Sequence, residues 1–178
     1  MSEHVSWDPT AYGRFSAERS RPFADLLAQV RTEDPAVVVD LGCGHGPATL
    51  MLGELWPQAR VIGVDASEAM LESARALDDA GRVEWVQADL REWDPASLGV
   101  APDVIITNST LQWIPGHLDL LDTWVEALAP GGWLALRAWI AKVTVMNNVL
   151  RMTGLSRVQA AMTGAAPISP ELIRWYWK

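Results

Sequence analysis

The sequence has few of the residues that build covalent or metal-bound frameworks. It contains one cysteine, Cys43, which excludes an intramolecular disulfide framework and a cysteine-cluster metal site. The three histidines, His4, His45 and His117, are widely spaced, which argues against a histidine-rich metal site. We therefore predict neither a disulfide nor a bound metal.

Positive charge is also scarce, with 14 lysine and arginine residues against 22 aspartate and glutamate residues and a formal net charge of −8. Nucleic acids and anionic membranes bind through basic side chains, so neither is an expected partner. No uncharged apolar run approaches the roughly 18 residues that span a bilayer. Residues 1–5 lack the start of a secretory signal, so we predict a cytoplasmic protein.

Strand patterns alternate with helical patterns along these 178 residues, of which 49% are hydrophobic. The alternation predicts βαβ units and an α/β fold with a doubly wound, mainly parallel sheet. This core would span residues 36–139. Residues 1–35 before it would form an arm followed by a helix that begins near Pro22. Ser67 is the expected N-cap of a helix within the core. The predicted strands are 36–39, 60–64, 83–86, 103–107 and 133–136.

The residues after the fifth predicted strand follow another pattern. Apolar residues at helical spacing between positions 145 and 162 predict a mainly helical tail over 140–178. The fifth strand would then lie at an exposed edge unless the tail or another subunit covers it. Trp175, Tyr176 and Trp177 leave aromatic surface near the last residue, so we expect truncation or self-association through the tail.

The sharpest motif is a buried run that leads into a glycine-rich turn at residues 39–46. Gly42, Gly44 and Gly46 alternate there, and glycine is needed where a chain turns sharply or a ligand approaches the backbone closely. In a doubly wound sheet, such a turn falls at the carboxyl ends of the strands, where ligands bind. Taken alone, the turn fits a ligand-free loop equally well.

Acidic residues end three successive strands at Asp40, Asp65 and Asp89. Asp65 follows Gly46 at close to the spacing of about 20 residues at which an acidic residue holds ribose hydroxyls. One such aspartate alone is more often a helix N-cap or a turn residue, but three indicate acceptors around an adenosine. Asp40 would repel a phosphate, and the third glycine comes one residue earlier than in dinucleotide-binding motifs. We therefore favour a cationic cofactor, S-adenosylmethionine, over NAD.

Four segments resemble the class I, Rossmann-like S-adenosylmethionine-dependent methyltransferases: residues 39–46, 63–67, 87–90 and 128–132. The resemblance implies a Rossmann-like sheet whose final β-hairpin is incomplete or replaced by helices. It implies that Asp65 binds the ribose hydroxyls, while Ala66 and Met70 flank the adenine. Asp89 and Leu90 would hold the adenine edge. The cofactor-binding residues implied in these segments are Asp40, Gly42, Gly44, Gly46, Asp65, Ala66, Met70, Asp89 and Leu90.

Three other segments, residues 7–22, 108–115 and 117–121, resemble the trans-aconitate methyltransferase family. In that family they cover the cofactor and shape a pocket for a small polycarboxylic acid. The alternative is that these aromatic rings are only a latch or core residues and that the arginines are solvated. The resemblance implies Tyr12, Arg21 and Asn108 at the cofactor and Arg19, Gln112 and Trp113 at the substrate.

A carboxylate acceptor, with a reference pKa of about 4, is already ionised at neutral pH, so no general base is required. We predict no catalytic proton-transfer residue, because His45 lies in the glycine turn and His117 at a helix start. The resemblance is expected to end at Ala138. The leading interpretation is methylation of a small carboxylic acid such as trans-aconitate. The alternatives are another small acceptor, or a cofactor-binding fragment that needs a partner chain.

Overall fold

The fold is an alternating α/β arrangement, which the computed structural model describes over residues 16–137 and 159–162, with side chains over 22–137. Two short 3-10 helices, Pro95–Leu98 and Leu111–Trp113, flank the fourth strand. The helices and strands in chain order are α1 (Ser16–Leu27), β1 (Val37–Leu41), α2 (Pro47–Leu55), β2 (Arg60–Asp65), α3 (Glu68–Leu77), β3 (Val83–Gln87), β4 (Val104–Asn108), α4 (His117–Ala127), β5 (Trp133–Arg137) and β6 (Gln159–Met162).

The strands form one parallel sheet in the order β3-β2-β1-β4-β5-β6. The chain begins in the middle at β1, proceeds outward to β3, and then returns to β4 on the other side of β1. This reversal opens a crevice at the carboxyl ends of β1 and β4. The doubly wound α/β class predicted from the sequence is confirmed.

Two apolar layers cover the sheet, one on each face. Phe23 of α1 and Leu52 of α2 pack on one face together with Val38 of β1. Trp124 of α4 is fully buried on the opposite face, together with Val39. Successive strand residues therefore point to opposite layers, and this alternation determines which strand-end side chains share a face.

The helix α1 begins at Ser16 rather than near Pro22, so its predicted start is wrong. Pro22 lies inside the helix, where it removes one backbone donor. The helix continues past it because Phe23 and Leu26 are fully buried against the sheet, and most helix stability in proteins comes from such packing.

The tail departs from its predicted helical structure at its four described residues, since Gln159–Met162 form β6. Leu134 of β5 pairs with Ala160 of β6, so the tail covers β5, which is one of the two ways in which the sequence analysis expected an exposed edge to be avoided. Satisfying the backbone groups of β5 outweighs a helical spacing that is weak over so few residues. Residues 138–158 and 163–178 lie outside the described part, and the boundaries at 35 and 139 stay predictions. In the described ranges, no helix has the length and apolarity needed to span a bilayer.

Candidate functional site

The glycine turn joins β1 to α2 and contains three left-handed residues, with φ of 77°, 57° and 96° at Gly42, Gly44 and Gly46. Residues with a side chain rarely adopt this backbone conformation. A Cβ at Gly42 would lie 2.1 Å from Oγ1 of Thr110, and one at Gly46 would lie 2.8 Å from Cβ of Ala74. At Gly44 no atom comes within 4 Å. Two glycines therefore serve protein packing, while Gly44 leaves bare backbone beside open space.

Asp65, the last residue of β2, fastens this turn with both carboxylate oxygens. Oδ2 accepts a hydrogen bond from the Gly44 N–H at 2.8 Å, and Oδ1 accepts one from the Ser67 N–H at 2.9 Å. Ser67 in turn caps α3 by accepting from the Met70 N–H at 3.4 Å, as the sequence predicts. A carboxylate has about four acceptor sites, so two remain for a ligand with neighbouring hydroxyls. The predicted ribose contact fits this geometry.

Asp40 lies beneath the turn and is only 3% exposed. Its Oδ2 accepts a hydrogen bond of 2.6 Å from Oγ1 of Thr49 on α2. Burial raises the pKa of Asp40 to about 7, with a further contribution from the charge of Asp65, although the Thr49 hydrogen bond opposes the rise. A cation bound nearby would favour the ionised form and lower this pKa again.

Asp89 follows β3, and its carboxylate already has a protein partner. The Arg91 N–H donates to Oδ1 at 2.9 Å, and the Arg91 guanidinium donates to both oxygens. The sequence analysis did not anticipate this ion pair. A ligand amino group at Asp89 would therefore share the carboxylate with Arg91.

The other residues predicted around an adenine differ in accessibility. Ala66 is exposed, and its carbonyl oxygen accepts a hydrogen bond from Nε2 of Gln87 at 3.4 Å. Met70 is buried on α3, and the side chain of Leu90 is buried in the apolar core. Any ligand contact from Leu90 would thus come from its backbone.

The loop after β4 closes the other side of the crevice. Ser109 has φ of 61° without being glycine, a strained backbone that is typical of functional sites. Its N–H donates to the Arg137 carbonyl at 2.8 Å, and its hydroxyl donates to Oδ1 of Asn108 at 3.4 Å. Nε2 of Gln112 donates to the Ser109 carbonyl at 2.8 Å, while Trp113 is 45% exposed. Of the predicted substrate residues, Trp113 presents a ring to solvent and Gln112 secures the loop.

Three strand-end side chains share the sheet face that carries α1 and α2. Asp40 is paired in register with Ile106, two residues before Asn108, and Asn108 is paired with Arg137. By strand alternation, Asp40, Asn108 and Arg137 all point to this face. The edge thus changes from acidic at β2 and β1, through an amide at β4, to a cation at β5. Arg137 is absent from the predicted site, although a charge ending an apolar run was the signal that identified Asp65.

Some predicted residues are located only in part. Tyr12 lies outside the described residues, while Arg19 and Arg21 lie on α1 with side chains outside the described part. His117 begins α4, as predicted, and its Nδ1 is 2.9 Å from the Ile114 carbonyl oxygen. Among residues 16–137 and 159–162, no cluster of histidine, cysteine and acidic side chains could hold a metal ion.

Residues 38–132 match the methyltransferase domain family, which accounts for the glycine turn, the strand-end acids and the sheet order together. The chain belongs to this family. A solved relative, the S-adenosylmethionine-bound amino pentose methyltransferase of Micromonospora echinaspora, is 26% identical with a TM-score of 0.59. That match covers 79% of this methyltransferase chain and 60% of the relative. The Rossmann-like architecture implied by the sequence is therefore confirmed.

Two curated relatives are similar in sequence to this methyltransferase domain. The trans-aconitate 2-methyltransferase of Streptomyces avermitilis is 48% identical over 138 residues, or 74% of the chain. The enzyme of that name from Azoarcus sp. is 44% identical over 174 residues, or 97% of the chain, so the expected departure at Ala138 is not seen with this relative. The chain spans 50% and 66% of the lengths of these two relatives.

Proposed function

We propose that this methyltransferase chain binds S-adenosylmethionine at the carboxyl ends of β1, β2 and β3 and supports methylation of a small carboxylic acid such as trans-aconitate. One observation supports it most strongly: bare backbone at Gly44 adjoins a carboxylate, Asp65, that keeps acceptor sites free after fastening the turn. Relatives at 48% and 44% identity are trans-aconitate 2-methyltransferases, which favours that acid as the acceptor.

The residues at this edge fit the chemical parts of S-adenosylmethionine. Asp65 offers acceptors to the two ribose hydroxyls, and Asp89 offers one to the adenine amino group alongside Arg91. Buried Asp40 has a pKa near neutrality, so a neighbouring ammonium or sulfonium group would favour its ionised form. When bound, the cofactor supplies an electrophilic methyl group.

The contribution of this chain to methyl transfer would be binding and alignment. A carboxylate acceptor needs no proton removed at neutral pH, so no side chain has to act as a base. The rate would depend on holding the acceptor oxygen in line with the methyl group and on excluding water. The loop from Asn108 to Trp113, which follows β4 at the same edge of the sheet, is the proposed contact for such a small acid.

The second candidate function is a cofactor-binding fragment that needs a partner chain to act on its acceptor. The observation that favours it is the length of the chain, which spans 50% of the Streptomyces relative. A different small acceptor is the remaining alternative. Binding of S-adenosylhomocysteine without turnover of trans-aconitate would favour these readings over the leading one.

The test is calorimetric titration with S-adenosylhomocysteine, the product form of the cofactor, before and after Asp65→Asn. A matched control is Asp103→Asn, because Oδ2 of Asp103 also accepts two backbone N–H groups, from Ala36 at 2.7 Å and Val37 at 2.9 Å, at the opposite edge. We expect Asp65→Asn to raise the Kd at least about tenfold and Asp103→Asn to leave it unchanged. Equal Kd values for the two variants would refute the cofactor site.

The cytoplasmic location and self-association through residues 140–178 belong to this proposal. The net charge of −8 disfavours binding to nucleic acid and anionic lipid, which agrees with this location. Sedimentation velocity across a hundredfold range of protein concentration tests self-association, and a sedimentation coefficient that stays at the monomer value throughout would contradict it.

A further inference from the structure

We propose that Arg137, the last residue of β5, binds a carboxylate of the acceptor and makes the site selective for acids with more than one carboxylate. The inference rests on the proposed function and adds a residue that neither the sequence analysis nor the family motifs single out. The inference follows from three observations. Arg137 lies at the end of β5, its guanidinium has no hydrogen-bond acceptor or ion-pair partner among the described residues, and the charges at the carboxyl ends of the strands change from acidic to basic toward β5.

Of the arginines whose side chains the structure describes, four are bound to protein acceptors and Arg137 is not. Its guanidinium forms no hydrogen bond or ion pair with any residue in the described ranges. Arg31, the other arginine without a hydrogen bond or ion pair among the described side chains, is exposed in the connection before β1, at the amino edge of the sheet. The engaged arginines are Arg60 with Glu84, Arg75 with Glu68, Arg91 with Asp89, and Arg82 with the carbonyls of Trp56, Pro57 and Ala59.

The position of Arg137 places this charge beside the proposed cofactor site. It is paired in register with Asn108, and its own carbonyl oxygen accepts the Ser109 N–H at 2.8 Å. Two strand spacings, about 10 Å, separate β5 from β1. An acid with two or more carboxylates could therefore present one oxygen near the cofactor while Arg137 binds another carboxylate.

The chemistry of the guanidinium matches an anionic acceptor. Arginine forms two parallel hydrogen bonds with a carboxylate, a geometry that a lysine ammonium cannot reproduce. Arg137 is half-buried, and burial lowers its pKa, a shift that the charge of Asp25 on α1 opposes. A partly desolvated cation without a partner is unfavourable, and a bound carboxylate would relieve that cost.

The competing explanation is that Arg137 stabilises α1 through the charge of Asp25. No ion pair within 4.0 Å joins them among the described residues, and Asp25 is exposed. Such a long-range attraction across solvent is worth little. The competing explanation predicts equal losses of stability for Arg137→Met and Asp25→Asn, with no change in the binding of trans-aconitate.

The experiment titrates trans-aconitate, and separately its trimethyl ester, into the full chain saturated with S-adenosylhomocysteine. Arg137→Met removes the charge at similar length, Arg137→Lys keeps the charge without the fork, and Arg31→Met is the control. We expect Arg137→Met to raise the Kd of trans-aconitate about 10- to 150-fold, the loss of one charged hydrogen-bonded contact. The Kd of trans-aconitate for Arg137→Lys should fall between those of the wild type and Arg137→Met. The Kd of S-adenosylhomocysteine should stay unchanged in all three variants. In turnover, KM should rise more than kcat falls.

The outcomes separate this inference from the function on which it rests. If the wild-type chain binds trans-aconitate and Arg137→Met binds it equally well, Arg137 has no role in acceptor binding, and the function stands. If the wild-type chain binds S-adenosylhomocysteine but not trans-aconitate, or binds the ester as tightly, the proposed acceptor fails and the inference fails with it. If Arg137→Met and Asp25→Asn lower the Tm equally without altering acid binding, the structural explanation is correct.

Discussion

Replacing Gly44 with alanine would add one methyl group at the point where the turn meets open space. The matched control is Gly81→Ala, since Gly81 has φ of 60° against 57° at Gly44, and both positions have no atom within 4 Å of an added Cβ. Gly81 lies between α3 and β3, at the amino edge of the sheet. The two variants therefore share their conformational cost and differ only in which surface receives the methyl group.

The expected cost to folding is small and equal in the two variants. An alanine in the left-handed region costs about 1–2 kcal/mol. The lower entropy of the unfolded alanine chain returns about 0.4–1 kcal/mol of this. A net loss near 1 kcal/mol corresponds to a fall in Tm of about 2–4 °C at this chain length.

The expected effect on ligand binding is not equal. A methyl group forced into a well-packed contact costs about 1–3 kcal/mol, so Gly44→Ala should raise the Kd of S-adenosylhomocysteine about 5- to 150-fold. Gly81→Ala should leave that Kd unchanged. Calorimetric titration measures the Kd, and thermal unfolding without ligand measures the Tm. Equal Kd values at equal Tm would refute the conclusion that the ligand approaches the backbone at Gly44.

Two further predictions concern charge and hydrogen bonding in the described part of the chain. Burial raises the pKa of Asp40 to about 7, so this carboxylate loses its charge as the pH falls from 8 to 5.5, and the Kd of S-adenosylhomocysteine should increase over that range. In the ligand-free chain the protonated acid is the form that burial favours. The free energy of unfolding should therefore decrease as the pH rises from about 4 through 7. Asp40→Asn should flatten the pH dependence of both the Kd and the free energy of unfolding. Thr49→Val removes a hydrogen bond that favours the ionised carboxylate, so it should move both midpoints to higher pH. A wild-type chain without a midpoint between pH 4 and 8 in either measurement would contradict the titration of a buried acid. Arg82→Met should lower the free energy of unfolding by about 1–3 kcal/mol in urea, because the guanidinium donates to three carbonyls after α2, while Arg31→Met stays within about 0.5 kcal/mol of the wild type. An unchanged Kd for S-adenosylhomocysteine in Arg82→Met would show that this network is structural, and an equal stability for both arginine variants would refute its contribution.

The parts of the site that depend on local sequence could be predicted. The glycine turn was recognisable because glycine tolerates left-handed backbone, and Ser67 because a serine at that position caps a helix start. Asp65 was recognisable because it ends an apolar strand run. Each of these signals lies within a few residues of the feature that it predicts.

The parts that depend on tertiary contacts could not be predicted. Thr49 faces Asp40 because α2 packs over β1, and Arg137 is placed beside Asn108 only by the pairing of β4 with β5. The strand β6 has four residues, too few for a strand period to be told from a helical one. Even Asp89, two residues after the end of β3, has a partner in Arg91 that its own position did not reveal.

The two hydrogen bonds that Asp65 accepts from Gly44 and Ser67 have a consequence for how such a chain changes over generations. A substitution that removed this carboxylate would take away the acceptor for the N–H groups of Gly44 and Ser67. The chain would then fold less stably before any ligand was present. Selection for folding alone therefore retains an acceptor in the place where an adenosine would need one. The proposed recognition of adenosine at Asp65 would then be inherited together with the stability of the turn.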